Sequence, residues 1–576
     1  MEPKEQLINI ILALSKLENP SDKKVQQIFR RFPKNHSGLY SKSEILAYFN
    51  ERESTKDLKI TSTAKKNFLK NIRMKETRTI SGVTPVTVLT KPYPCPGTCI
   101  FCPNDIRMPK SYLFDEPGAQ RAYKNKFDPY AQTYNRLLAY KNIGHPTDKV
   151  ELIILGGTWT SYPEPYQIWF IKRCFDAMND FQNNGEDKPY TSKLDLPYSG
   201  SKIKDTDSEL TYNQLVSQTQ LKNRRNKLLE EAEWDDLFQS QRTNETAKSR
   251  CVGLVIETRP DEITKRSAIQ LRKLGATKIQ IGFQSLNDKV LKLNKRGHDV
   301  KTTRETVSIL RQTGFKIHAH WMPNLYGSDP DMDIKDFKKM FNDKNFRPDE
   351  LKIYPCSLIA GTSLMDLYKT FRWKPYTEEE LLYVLKECIK LTPPYCRITR
   401  MVRDIGSQDI VAGNKKTNFR QIVEAQLKKE GAEINEIRSR EIRSKEITES
   451  DLYLKKIEYE TSTSREVFLE YVTKENEIAG YMRLSLPTKP PFIVELKEST
   501  IIREIHIYGQ SIEIGKQKEG KAQHLGLGKK LIQKALQISK KEGYKKLTVI
   551  SSVGTREYYR KNNFKEGKLY QFIVIK

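Results

Sequence analysis

Apolar residues recur at helical spacing through the first 75 positions. Leu7, Ile8, Ile11, Leu12 and Leu14 form one apolar face, and Val25, Ile28, Phe29 and Phe32 a second, which predicts a small helical lobe. A stretch rich in Thr and Val at 81–90 predicts a strand running into the loop Lys91-Pro-Tyr-Pro. From there to about residue 400, short apolar runs alternate with helical sequence. Residues 150–155, 251–256, 278–283, 315–320 and 351–354 read as buried strands, with helices such as 265–274 and 302–313 between them. Such alternation gives parallel strands with helices outside, closing into a full or partial barrel. The polar stretch at about 180–249 reads as a partly disordered insertion with an amphipathic patch at 228–238. Residues 401–455 read as a connector. Beyond them, strands at 467–472, 478–486 and 501–508, a helix at 529–541 and a strand at 547–551 predict a separate α+β domain over 456–576.

Composition places this pattern in a soluble, globular class, with 37% hydrophobic and 30% charged residues. The apolar stretch near the N-terminus is broken by Asn9, Ser15 and Lys16, and no run approaches the ~18 apolar residues of a membrane span. A cytoplasmic protein with no membrane partner is expected. The formal net charge is +28. A surplus this large favours a polyanionic partner. It is uneven: residues 22–75 hold 14 basic and 5 acidic side chains, and residues 515–576 hold 16 and 4. Charge at both ends suits two sides of one long nucleic acid.

Cys95-Pro-Gly-Thr-Cys99-Ile-Phe-Cys102 carries the strongest chemical signal. One tight loop directs three thiolates at a common point. Structural zinc takes four ligands, commonly as two pairs, and no further Cys or His follows until His145. A [4Fe-4S] cluster held by three thiolates leaves one iron open. The spacing resembles the signature of the radical S-adenosylmethionine (SAM) family, in which that iron chelates SAM. Gly156 and Gly157 close an apolar strand and permit close backbone approach to a ligand; they resemble that family's SAM-contacting strand end. Glu257 and Arg259 follow another buried strand, at the edge where barrel active sites form. Their alternative is a structural ion pair.

The C-terminal domain carries a second pattern. Gln523, Gly526, Leu527, Gly528 and Lys529 lead into a helix whose first N–H groups can cradle a pyrophosphate. Gln-x-x-Gly-x-Gly resembles the acetyl-CoA grip of the GNAT acetyltransferases. Glu504, Ile505, His506 and Ile507 form an upstream strand, and Tyr558 and Tyr559 lie downstream. Tyr559 is the candidate facing the thioester; the alternative is that one of the two tyrosines is a core residue. Neither His506 nor His524 is assigned as a base.

Taken in order, Arg121-Ala, Phe127-Asp-Pro, Gly144-His145, Asp148-Lys149-Val-Glu, Glu-Thr-Arg-Pro-Asp, Arg296-Gly-His298, His320-x-Met-Pro and Gly-Thr-Arg-x-Tyr-Tyr-Arg-Lys join these motifs. Together they resemble the Elongator protein 3 family in its archaeal or bacterial form. The resemblance runs from about residue 75 to the end and implies a radical SAM partial (β/α) barrel over 76–400, followed by a GNAT domain; the basic lobe at 1–75 matches it least, and tRNA binding there is expected mainly from its charge. The resemblance also implies [4Fe-4S], SAM and acetyl-CoA as cofactors and tRNA, through its anticodon loop, as partner. The implied product is a carboxymethyl group at C5 of the wobble uridine. Lys149 would then contact acetyl-CoA from the radical domain, against a plain reading as a solvated lysine. Further Elongator-like subunits or self-association are open.

Two alternatives stand beside this reading: a protein lysine acetyltransferase with a structural cluster, and a non-catalytic tRNA-binding module. Cys356, Cys388 and Cys396, with His318 or His320, are either a structural zinc site or buried free thiols.

Overall fold

The computed structural model describes residues 3–576 apart from 19, 35–37, 55–59, 73–81, 184–187, 199–210, 223, 404, 443–446 and 509–525. The basic N-terminal residues fold as four helices, α1 (Pro3–Ser15), α2 (Asp22–Arg31), α3 (Lys42–Ser54) and α4 (Ser62–Ile72). They enclose a core of their own around Ile10, Ile11, Leu14, Phe29, Phe49 and Phe68. Leu12, expected on the apolar face of α1, is 36% exposed, and Ile10 is buried in its place.

Seven parallel strands follow: β1 (Thr84–Leu89), β2 (Lys149–Leu155), β3 (Arg250–Thr258), β4 (Lys278–Gln284), β5 (Lys316–Trp321), β6 (Glu350–Ile353) and, after the short β7 (Leu358–Ile359), β8 (Arg397–Met401). They pair in chain order, with β1 and β8 at the two edges. This is a partial barrel. The small β7 pairs with β9 (Ile410–Ala412). Among the described residues, the expected insertion contains three helices, Tyr212–Lys222, Arg224–Leu229 and Trp234–Asn244. The patch expected at 228–238 is split between the last two, because Glu233 caps the third helix. Residues 410–442 are also built into the fold: the buried Glu436 takes Arg420 Nη2 at 2.6 Å and the Ile398 amide of β8 at 3.0 Å.

Strand sequence sets the two faces of the first sheet. Successive side chains alternate, so Ile279, Ile281 and Phe283 of β4 and Ile317, Ala319 and Trp321 of β5 join the apolar core. Lys278, Gln280, Gly282 and Lys316, His318, His320 share the opposite face. That face is the interior of the partial barrel, and it is polar.

The second sheet comprises β10 (Tyr453–Glu460), β11 (Ser464–Val472), β12 (Ile478–Pro487), β13 (Ser499–Ile507), β14 (Lys546–Val549), β15 (Lys565–Glu566) and β16 (Gln571–Val574). Its order is β10-β11-β12-β13-β14-β16-β15. The pair β13 and β14 is parallel, in register from Ser499↔Lys546 to Ile502↔Val549. Past Ile502 the two strands part, and β13 runs on to Ile507 paired with β12 only.

This sheet sits on the N-terminal ends of the barrel strands, held by a buried ionic seam. Asp349, immediately before β6, accepts from Arg503 Nη1 and Nη2 of β13, each at 2.7 Å. Arg503 Nε donates to Glu466 at 2.9 Å, and Arg483 Nε to Glu504 at 2.9 Å. Arg272 Nη2 adds a bond to the Ser551 carbonyl at 2.6 Å, and Ser552 Oγ one to Cys251 O at 2.7 Å. Breaking such a buried pair by removing one partner costs about 3–5 kcal/mol. Burial pushes the Asp349 carboxyl up, but Arg503 and Arg483 together hold it far below its ordinary range. Its contribution is therefore complete above an unfolded carboxylate value of ~4 and lost as pH falls towards the folded value. Asp349→Asn is expected to lose about 3–5 kcal/mol at neutral pH, with the gap to wild type narrowing below pH ~4. Urea titrations across that range check both.

Candidate active sites at the two ends of the barrel

The three cysteines lie in the loop after β1, at the C-terminal end of the barrel, and line a cavity of about 540 Å³. The loop is held from three sides. Arg296 Nη1 lies 3.3 Å from Cys99 Sγ, and Arg259 Nη1 lies 3.8 Å from the same sulfur. Arg296 reaches it across Gly282, whose carbonyl takes Nη2 at 3.0 Å; a Cβ there would meet that nitrogen at 2.6 Å. Arg259 likewise packs on Gly97, where a Cβ would lie 2.0 Å from Nη1. The third hold comes from the insertion. Asn213 brackets the Cys95 backbone, accepting its N–H at 3.0 Å and donating to its carbonyl at 2.8 Å. Beside it, Tyr212 donates to Met108 O at 2.9 Å, and Lys91 pairs with the buried Glu230.

A hydrogen bond from Cys102 lowers the Cys99 thiol well below its ordinary value; burial opposes this, and the charges of Arg296 and Arg259 assist. The pocket therefore stabilises the Cys99 thiolate, while the same hydrogen bond and burial push the Cys102 thiol up. Among the described residues no three His, Cys, Asp or Glu side chains converge tightly enough to hold a single ion. Three thiols around one cavity suit an iron–sulfur cluster, which three thiolates can hold with one iron left open. Gly156 and Gly157 adopt φ of 138° and 92° at the end of β2. A Cβ on Gly156 would lie 1.8 Å from Thr90 Oγ1, while Gly157 lines the cavity.

Glu257 and Arg259 also line this cavity, but not as the ion pair that was their alternative. Arg259 pairs with Asp261, Nη2 to Oδ2 at 2.8 Å. Glu257 accepts from Tyr112 Oη at 2.7 Å and faces His320 Nδ1 at 3.6 Å. Arg296, Asn213 and Asp261 are the site residues that sequence reasoning missed. Arg296 stood within a quoted motif; Asn213 carried no local signal.

The parted strands β13 and β14 open a second cavity, of about 340 Å³, at the opposite end of the barrel. Glu504, Ile505, His506 and Tyr559 line it, together with Lys278, Lys316 and Glu350 from the barrel interior. Ile507 and Lys149 do not; Lys149 opens β2, two residues before the lining Glu151. Burial works to raise the Glu504 carboxyl, but Lys316 and Arg483 hold it down to about 2. It is an anchored anion. Gly526, at φ 65°, starts the helix Leu527–Lys541 without a side-chain cap. The amides that open this helix, beginning at Leu527, Gly528 and Lys529, are the N–H groups that suit a pyrophosphate. Tyr558 places its hydroxyl against Gly528, where a Cβ would come within 2.5 Å, and Tyr559 is 7% exposed inside the cavity. Gln523 and His524 lie outside the described residues.

Cys356, Cys388 and Cys396 are buried thiols that join no metal-binding group among the described residues. His318 and His320 instead belong to the barrel interior, bonded to Thr399 and Gln280.

Comparison with known proteins agrees with this division. Residues 228–340 match the Radical SAM superfamily model, 348–429 the Radical_SAM C-terminal domain, and 432–564 the acetyltransferase (GNAT) family. The fold is thus a radical SAM half-barrel joined to an acetyltransferase domain. A tRNA uridine(34) acetyltransferase of Methanocaldococcus infernus is 38% identical over 92% of this chain and 91% of its own length. One of Dehalococcoides mccartyi is 37% identical over 84% and 96%. Elongator complex protein 3 of Homo sapiens is 31% identical over 89% and 88%. The solved structure of Methanocaldococcus infernus Elp3 with its N-terminus deleted (1-46) superposes with a TM-score of 0.67 at 34% identity, covering 86% of this chain and 99% of that one. The chain belongs to the family of tRNA uridine(34) acetyltransferases and Elongator complex protein 3.

Removing the two Asn213 bonds, each worth about 1 kcal/mol, is expected to loosen the Cys95 loop. In Asn213→Ala without metal, thiol-alkylation kinetics resolved by mass spectrometry are expected to show Cys95 reacting about tenfold faster. Cys388, buried elsewhere, should be unchanged.

Proposed function

We propose that this chain modifies the wobble uridine of tRNA, using acetyl-CoA at the second sheet and SAM at the cysteine loop to build a carboxymethyl group at C5. The observation that carries the reading is the pairing of cavities. One is ringed by three thiols, the other lies in the parted strands of an acetyltransferase sheet, and both open on the same barrel interior.

Cys95, Cys99 and Cys102 would hold the cluster, and Gly157 with the neighbouring strand ends would take SAM. When bound, the pair supplies a hydrogen-abstracting radical, chemistry that no side chain provides. Neither an acetyl C–H nor uracil C5 suits ordinary acid–base attack. Arg259 and Arg296 position Cys99 and screen its charge. The N-terminus of the helix Leu527–Lys541 takes the CoA pyrophosphate, and Glu504 fixes Lys316 at the acyl end. Tyr559 closes that cavity with a hydroxyl that burial keeps protonated, since its pKa is raised. It can donate to a thioester carbonyl or to a leaving sulfur. The basic lobe of α1–α4 offers the polyanion surface, and a wobble base splayed from its loop reaches the cysteine cavity.

The protein lysine acetyltransferase reading fits less well. The side of the acyl cavity where a lysine substrate would enter is occupied by Lys278, Lys316 and Glu350 of the barrel. No helix among the described residues is long and apolar enough to cross a membrane.

Anaerobic incubation of reconstituted protein with acetyl-CoA, SAM, reductant and unmodified tRNA, followed by nucleoside mass spectrometry, tests the reading. A carboxymethyl gain on uridine is expected, abolished in Cys99→Ala. Acetylated lysines with no modified uridine would overturn it.

A further inference from the structure

A barrel that serves stability alone fills its interior with branched apolar side chains. Buried polar and charged groups cost free energy unless each is partnered. Here the interior faces of β4, β5, β6 and β8 are polar from one cavity to the other. At the acyl end, Lys278 Nζ lies 2.7 Å from Glu151 and 3.1 Å from Glu350, and Lys316 bridges Glu350, at 3.2 Å, to Glu504. At the cysteine end, Lys352 Nζ donates to Gln280 Oε1 at 2.6 Å, and His320 Nε2 lies 3.1 Å from the same oxygen.

On β1, Pro85 lines both cavities, while on β4, β5 and β8 a single layer separates the two ends. In it, His318 Nε2 meets Thr399 Oγ1 at 2.9 Å, while Nδ1 is buried without a hydrogen bond, 3.4 Å from Glu350. Gln280 and His318 line neither cavity. Their neighbours two residues back, Lys278 and Lys316, line the acyl cavity, and those two residues on, Gly282 and His320, line the cysteine cavity. Four residues of strand span about 13 Å, so the two chemistries lie that far apart along the barrel axis.

We propose that the barrel interior is an internal passage for a two-carbon carboxylate, leading from the acyl-CoA cavity to the cysteine cavity, with Gln280, His318 and Thr399 as its narrowest layer. This rests on the acetyl-CoA reading above and adds the form and route in which the acetyl group travels. Water cleaves the thioester. Its oxygen bonds to the carbonyl carbon, the carbon–sulfur bond breaks, one proton goes to the CoA sulfur, and the other leaves as acetate forms. No oxidant or reductant is needed.

The side chains suit that traveller. Lys278 and Lys316 present ammonium donors at the first end and Lys352 at the second. His318 and His320 are held neutral by burial, which lowers both well below the ordinary imidazole value, so neither adds a charge that would trap the anion. Burial also lowers Lys352, to about 8. Glu151, Glu350 and Glu504 are engaged with Lys278, Lys316 and Arg483, and Glu257 accepts from Tyr112; with Lys352, four cations face four carboxylates, so the interior is close to electroneutral. An anion can pass without being fixed at one point.

Filling the layer tests this in the full holoenzyme. His318→Phe and Gln280→Met are each assayed for CoA thiol, free acetate, 5′-deoxyadenosine and modified uridine, with tRNA present. Release of CoA is expected to stay within about twofold of wild type. Modified uridine should fall at least about tenfold, with free acetate accumulating one for one with CoA. Thr399→Val, which removes the hydroxyl without filling space, should lose less. Wild-type modification with the layer filled overturns the proposal, as does CoA release that falls in step with modification. Absence of CoA release in the wild type would count against the acetyl-CoA reading itself. If His318→Phe does not fold, Gln280→Met, which keeps the volume but makes the layer apolar and so closed to an anion, carries the same comparison.

Discussion

Everything about this molecule's chemistry depends on where the second sheet is docked, and a buried carboxylate decides that. Asp349 sits out of water immediately before β6 and is paired by both guanidinium nitrogens of Arg503, two residues before Ile505 in β13. Such a pair is costly to bury and more costly to break, so it fixes register better than an apolar contact that could slide. With β13 pinned there, its edge past Ile502, free of β14 but still paired with β12, opens onto the barrel interior. The acyl cavity is a consequence of that docking: half of its wall is barrel.

The opposite end of the barrel is set by guanidinium groups in place of carboxylates. Arg259 and Arg296 converge on Cys99, and each needs a glycine, Gly97 or Gly282, to come close enough. Their positive charge favours the thiolate form that an iron–sulfur cluster requires. The insertion then adds Asn213 to Cys95, tying the loop's first cysteine to a helix from another part of the chain. A segment that reads as polar filler thus becomes part of the wall around the site.

Legibility in the sequence followed the range of the interactions. The three cysteines, Gly156-Gly157 and the Gly526 helix start are local devices whose spacing is their geometry, and they could be read directly. The alternation of βα units likewise predicted a parallel sheet. The alternation within strands was equally visible in Lys278-Ile-Gln-Ile-Gly-Phe and Lys316-Ile-His-Ala-His, yet a buried strand was all that was expected of them. Apolar runs suggest two covered faces, and only the fold shows that one covered face is a polar interior. Asn213 with Cys95, and Arg503 with Asp349, lie 118 and 154 residues apart. No periodicity reports contacts of that span. Arg259 was read beside Glu257 as a possible ion pair, but the nearer Asp261 took it, leaving Glu257 for Tyr112.

The central claim is that one hydrogen is taken from the acetyl methyl at the cysteine end of the barrel. Acetyl-CoA deuterated at its methyl group, turned over anaerobically with SAM and tRNA, tests it most directly when the 5′-deoxyadenosine is isolated and weighed by mass spectrometry. The account predicts one deuterium in that product and two retained in the methylene on the uridine. 5′-Deoxyadenosine free of deuterium, formed alongside a modified uridine, would contradict it.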